Sequence, residues 1–189
     1  MDLRDPETIR EIYQRHSRGI FNYAYRLVGD YQWAEEILQE TFLRAFSRAE
    51  TFRKGARVST WLYRIAMNLS YDHLRSPKNR PKVSLSQRRI TSDGEDSPGL
   101  GDRLESPLST PREIVEESEV ASLIREAIDS LPEKEKNVVL LRHYQGLKFR
   151  EIAEVTGLTQ RTVQNCLRRG RDKLSQRLTR LGLNPEKVA

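Results

Sequence analysis

The apolar positions of this chain recur at helical spacing from one end to the other, and no stretch alternates as a strand would. Asp5 and Pro6 read as an N-cap and a first helical residue. Ile9, Ile12, Tyr13, Ile20, Ala24 and Leu27 then form a stripe ending at Gly29, with Gly19 expected to bend or break it. A second helix opens at Asp30, with Ala34, Ile37, Leu38, Thr41, Phe42 and Ala45 facing inward and Glu36, Gln39, Glu40, Leu43 and Ser47 outward. Ser59 is expected to cap a third helix from about Thr60 to Arg75, burying Trp61, Leu62, Ile65, Ala66 and Leu69.

From residue 76 to residue 112 the periodicity dissolves into Pro, Ser, Gly and charge, the composition of a flexible linker. A flexible chain of about 37 residues has a root-mean-square span of roughly 35 Å, enough to join two domains bound at separate sites on one large partner. Helical spacing returns with Ile114, Val115, Ala121, Ile124, Ala127, Ile128 and Leu131. Pro132 then begins a further helix with Glu133 and Glu135 in its positively polarised first turn. The expected fold is all-α: two small helical domains, residues 1–75 and 113–189, joined by the linker 76–112.

The second of these domains contains a helix-turn-helix pattern between Gly146 and Lys173. Phe149, Ile152, Ala153 and Val155 suggest a short first helix stopped at Gly157, and Thr159 is placed to cap a second. Val163, Leu167, Gly170 and Leu174 make its buried stripe. The opposite face carries Arg161, Gln164, Asn165 and Arg168, residue types that hydrogen-bond guanine and adenine edges in the major groove. Arg169, Arg171 and Lys173 lie to the flanks, suited to phosphate. A plain solvated helix would also be basic. The mixture of Arg with Gln and Asn, and the short helix one turn upstream, favour a DNA reader.

Charge sharpens that picture. The net formal charge is +6, and the segment 148–180 carries nine bases against three acids, which is the whole excess. Residues 113–136 carry eight acids against three bases, so the C-terminal half is polarised toward an anionic polymer. The single cysteine, Cys166, excludes an internal disulfide and reads as a small hydrophobe at the edge of a buried face. His16, His73 and His143 are isolated and suggest no metal site, and no cofactor is called for. The charged amino terminus and an aliphatic run limited to Val138–Leu141 argue against a secretion signal or membrane insertion, so a soluble cytoplasmic protein is expected.

Two further surfaces stand out. Leu43 is an apolar residue on the polar face of the second helix, a hint of a docking surface, although single exposed leucines are common. The third helix interleaves Tyr63, Arg64, Met67, Asn68, Tyr71 and Arg75 on its outer side, the composition of a single-strand binding surface, although core or rim tyrosines would give the same pattern.

Three blocks, AEEILQETFLRAF from Ala34, STWLYRIAMNLSYDHLR from Ser59 and LPEKEKNVVLLRHYQGLKFREIAEVTGLTQRTV from Leu131, resemble those of bacterial sigma factors of the extracytoplasmic-function group. The resemblance covers both domains and implies a detachable subunit that brings core RNA polymerase to particular promoters. It implies that Glu36, Gln39, Glu40 and Leu43 contact the polymerase clamp. Phe52, Arg64, Asn68 and Tyr71, with the loop to Ser59, would hold unpaired bases of the minus-10 element. Arg161, Gln164, Asn165 and Arg168 would read the minus-35 element, with Arg169 and Arg171 on phosphate. It further implies a linker that threads toward the polymerase active centre, and control by an anti-sigma protein.

This chain departs from the family pattern at Trp33, where Asp is usual, at Lys148 in place of a Ser cap, at Arg161 in place of a common Gly, and at Gln164 and Cys166, where Arg is frequent. Its minus-35 preference is therefore its own, and adjacent Gln164 and Asn165 favour adenines. A free-standing helix-turn-helix regulator would share the second domain but has no use for the third-helix surface or Leu43. A nucleic-acid-modifying enzyme would need a phosphate-cradling glycine loop, a metal cluster or a nucleophile–base pair that the sequence lacks.

Overall fold

The computed structural model describes residues 5–52, 55–76 and 119–183, all of them helix, turn or connecting chain. The linker expected at 76–112 lies outside the described residues except for Ser76, as do Ile114 and Val115. Among the described residues, three α-helices, with a 3-10 turn at Ala49–Thr51, make the N-terminal domain: α1 (Pro6–Val28), α2 (Tyr31–Ser47) and α3 (Val58–Arg75). Among the described residues, four α-helices make the C-terminal one: α4 (Glu119–Asp129), α5 (Glu133–Val139), α6 (Phe149–Thr156) and α7 (Gln160–Arg180). Among the described residues no helix is long and apolar enough to cross a membrane, and no group of three His, Cys, Asp or Glu side chains is placed to hold a metal.

The helix ends follow local chemistry. Asp5 Oδ2 accepts the Thr8 amide at 2.9 Å and the Thr8 hydroxyl at 2.8 Å, bonds that lower the carboxyl's pKa. Asp30 Oδ1 accepts the Trp33 amide at 2.9 Å and caps α2. Gly29 closes α1 in the left-handed conformation, φ 77°, its N–H donating to the Tyr25 carbonyl at 2.8 Å. The expected inner face of α2 is the buried one, residue for residue.

Two expectations need correcting. The third helix begins at Val58, before Ser59, and Arg57 flanks it with no side-chain cap bond. Gly19 does not break α1, which runs unbroken from Pro6 to Val28. A Cβ at position 19 would meet the Tyr63 hydroxyl at 2.7 Å and Gln145 Oε1 at 3.3 Å, so glycine is there to admit them. Gly170 serves a similar end in the other domain, where a Cβ would lie 2.9 Å from Val139 Cγ2 and hold α7 off α5.

After α5 the winding widens into a π-helical turn, Leu140–Tyr144, burying Leu140 and Leu141. The two domains do not stand apart. Helix α6 packs on α3, the π turn packs on α1, and one buried cluster runs from Ile12 to Leu167.

Candidate nucleic-acid and polymerase interfaces

Helix α7 is the simplest surface to build. Thr159 Oγ1 accepts the Thr162 amide at 3.2 Å and starts the helix; Val163, Cys166, Leu167, Gly170 and Leu178 anchor it. That burial leaves Arg161, Gln164, Asn165 and Arg168 exposed together, with Arg169 and Arg171 also in solvent. The flanking cations are partly engaged: Lys173 Nζ lies 2.7 Å from Glu135 Oε2 of α5, and Arg169 Nε 3.9 Å from the other oxygen of the same buried carboxylate. Arg168 and Arg171 border a groove of about 860 Å³ between α4, the π turn and α7, floored by Ile128, Val139 and Leu167. His143 on its edge has a lowered pKa, first from desolvation and then from Arg171 and Arg142.

Lys148 does not cap α6. Glu151 reaches back, its Oε2 accepting the Lys148 amide at 2.7 Å, while its other oxygen takes the Arg57 guanidinium from beside α3. A buried carboxylate is thus satisfied from both domains.

On α2, Glu36 and Gln39 are exposed and Leu43 is 64% exposed. Glu40 is half-buried and already bonded to Arg44, so a partner at that position competes with an existing pair. Trp33, at the start of this helix, is partly exposed and packs on His73 of α3 with ring centroids 4.1 Å apart.

Helix α3 departs most from expectation. Arg64 and Asn68 are exposed, and Phe52 is half-buried with its ring 5.1 Å from Trp61. Tyr63 and Met67, expected on the outer face, are buried, whereas Trp61, Ile65 and Leu69, expected inside, are only half-buried. The inward stripe is widened because the other domain covers it. Tyr63 donates its hydroxyl to Gln145 Oε1 at 2.6 Å, and burial raises its pKa to about 12. Asn137 of α5 bonds the Tyr23 hydroxyl with its oxygen and faces Met67 Sδ at 3.0 Å with its nitrogen. Tyr71 donates to the Glu133 carbonyl at 3.2 Å; its pKa is raised, first by desolvation, then by Glu133. Arg75 pairs with the Glu133 carboxylate at 2.9 Å. Between these groups lies a cleft of about 530 Å³, with Asn68, Tyr71 and Arg75 on one wall and Glu133, Lys134 and Leu158 on the other.

Sequence reasoning passed over Asn137, Gln145, Glu151 and Gly19 as members of this seam. Two signals were available: a glycine in mid-helix with no turn to make, and an amide, Asn137, leading directly into the run Val138–Leu141.

Sorted faces on a helix-turn-helix, packed against a second helical unit, mark the chain as a DNA-binding protein. Residues 12–80 match the Sigma-70 region 2 family model and residues 121–174 the Sigma-70 region 4 model. The ECF RNA polymerase sigma factor SigW of Bacillus subtilis is 30% identical over 174 residues, 92% of this chain and 90% of that one. The RNA polymerase sigma-H factor of Pseudomonas aeruginosa is 29% identical, covering 87% and 82% respectively. CnrH, solved in complex with the cytosolic domain of CnrY, shares the fold with a TM-score of 0.67 at 19% identity, over 93% of this chain and 90% of that one. The sigma factor RpoE of Bartonella quintana, solved with the anti-sigma factor NepR, does so at 0.65 and 18%, over 92% and 98%. The chain belongs to the extracytoplasmic-function group of the sigma-70 family. It is a sigma factor that directs RNA polymerase to initiate transcription, and its work is binding, with no catalytic step of its own.

Proposed function

We propose a division of this work among three helix faces. In it, residues 1–75 bind core polymerase and the minus-10 element, 113–189 bind the minus-35 element, and 76–112 connect them. Glu36, Gln39, Glu40 and Leu43 dock on the polymerase clamp; an apolar residue 64% exposed on a polar face is the observation behind that assignment. Arg64, Asn68, Tyr71 and Phe52 capture unpaired bases, the aromatic rings by stacking and the amide by hydrogen bonds. Arg161, Gln164, Asn165 and Arg168 read base edges, while Arg169 and Arg171 hold phosphate. The observation that carries the proposal is the joint exposure of those four polar side chains on α7 above a fully apolar inner face.

The protein works in the cytoplasm, where polymerase and promoters are, and is held in reserve by an anti-sigma protein. Two structural neighbours were solved with protein partners, one of them an anti-sigma factor, which supports that regulation here. The test is transcription of a promoter-fragment library by purified core polymerase with and without this chain, mapping RNA starts. New starts preceded by two shared DNA elements are expected, with the upstream one altered by changes in α7 and the downstream one by changes in α3. Starts whose shared elements respond to neither set of changes would refute the division of labour.

A further inference from the structure

Helix α7 carries more positive charge than base reading needs, and the acids packed against it sort that charge. Arg169, Lys173 and Arg177 follow one another at steps of four and so lie along one flank of the helix. Each is met by an acid from the helices beneath. Glu135 of α5 lies 2.7 Å from Lys173 and 3.9 Å from Arg169, and Glu126 of α4 lies 2.7 Å from Arg177. Arg161, Arg168 and Arg171 stand exposed on the outer face and its other flank.

The two acids differ in burial. The Glu126 side chain is 60% exposed, so water takes over its hydration when Arg177 turns to another anion. The Glu135 side chain is 9% exposed. A carboxylate so far out of water is costly without a close cation, and departure of Lys173 would leave it with the longer contact to Arg169. Lys173 is thus tied to the protein, where Arg177 is loosely paired. Backbone geometry fixes the arrangement. A Cβ at Gly170 would lie 2.9 Å from Val139 Cγ2 and 3.7 Å from both the Cβ and the carbonyl oxygen of Glu135, so α7 crosses α5 at a distance that glycine permits. Residues 169 and 173 flank that crossing one turn apart, with the carboxylate between them.

We infer that Glu135 is a positioning residue for DNA binding: from beneath α7 it holds Lys173 away from the phosphate backbone and so lowers the sequence-independent part of the chain's affinity for duplex DNA. A cation on phosphate strengthens binding to every sequence alike and adds about 0.9 to the salt exponent. Lys173 lies one turn beyond Arg169, on a flank suited to phosphate, and once released would add such a contact. The inference rests on the proposed seating of α7 on the minus-35 element.

The test uses the full chain and two labelled duplexes of about 20 base pairs, one of degenerate sequence and one carrying the upstream element defined by the mapped RNA starts. Fluorescence anisotropy gives affinities between about 50 and 200 mM salt. Glu135→Gln is expected to bind the degenerate duplex roughly threefold more tightly at the low-salt end and to steepen the salt exponent by about one. Damage to the fold would weaken binding instead. The double variant Glu135→Gln/Lys173→Gln keeps the parent's net charge and should return to the parent's affinity and exponent. A Glu135→Gln variant no tighter or no steeper than the parent overturns the inference, and so does a double variant that keeps the gain. Should Glu135→Gln lose helical circular dichroism, Glu135→Met takes its place under the same outcomes, being of similar volume with no charge to compensate. A parent that binds both duplexes alike refutes the seating of α7 on which the inference rests. A parent that prefers the element, beside a variant that gains nothing, refutes the inference alone.

Discussion

Helices α7 and α3 carry the two faces proposed for DNA, and the free protein treats them oppositely. On α7 the four side chains proposed to read bases stand in solvent. On α3 only Arg64 and Asn68 do, while Tyr71 is half-buried and bonded to Glu133. Duplex DNA can be met from outside by a helix with a bare face. A flipped base needs aromatic surface, and exposed aromatic surface is what a second domain tends to cover. The same chemistry proposed to suit α3 to single strands makes it a natural seat for the other half of its own chain.

That contrast can be broken most sharply at Gly19. A leucine there must displace the Tyr63 hydroxyl or Gln145, so Gly19→Leu should cost about 1–3 kcal/mol of stability by overpacking. It should also loosen the seam, with faster amide exchange in α3 and α6 than in α7. Chemical denaturation and hydrogen exchange measure the two effects, and unchanged exchange at the seam would show that position 19 does not govern it.

On the bare face, Arg168→Ala should lose about 1–3 kcal/mol of discrimination at one minus-35 position. Arg171→Ala should weaken all sequences alike and reduce the salt dependence of binding by about one phosphate contact. Binding to a minus-35 substitution series at several salt concentrations separates them, and equal loss of selectivity in both would reject the split between base and phosphate contacts.

On α3, Asn68→Ala removes the hydrogen-bonding groups of an amide that is exposed in the free protein. The expected loss is about 1 kcal/mol, roughly fivefold in open-complex formation, with polymerase affinity little changed. Permanganate footprinting beside a polymerase-binding titration distinguishes these, and normal promoter opening would remove Asn68 from the site.

The smallest effect is with pH. His16 and His143 both have pKa values lowered below the usual 6.5, chiefly by desolvation and secondarily by neighbouring arginines. The unfolded chain therefore binds these protons more readily than the folded one, and stability falls as pH drops through about 6.5. His143 is exposed, so screening keeps its share small. His16→Gln should flatten the fall more than His143→Gln in thermal melts between pH 7.5 and 5.5, and a reversed order would place the buried proton site elsewhere.

Helix α2 shows how far sequence reaches. Its Asp30 cap, its six inward residues and its exposed Leu43 follow from spacing and end chemistry alone, because each depends on neighbours within a turn or on a single apolar face. The helix-turn-helix was legible for the same reason: Gly157, Thr159 and the stripe through Val163 and Leu167 are local signals. Tyr63, Met67 and Gly19 were not legible. Nothing within a few residues of them says that Gln145 or Asn137, more than sixty positions on, will come to rest against them. Sequence by itself determined the helices, their ends and the polarity of α2 and α7, since periodicity and capping are short-range. Only the tertiary structure decided which side of α3 stays exposed, since that depends on where a second domain settles, and an amphipathic aromatic face serves equally well for a strand or for a neighbour.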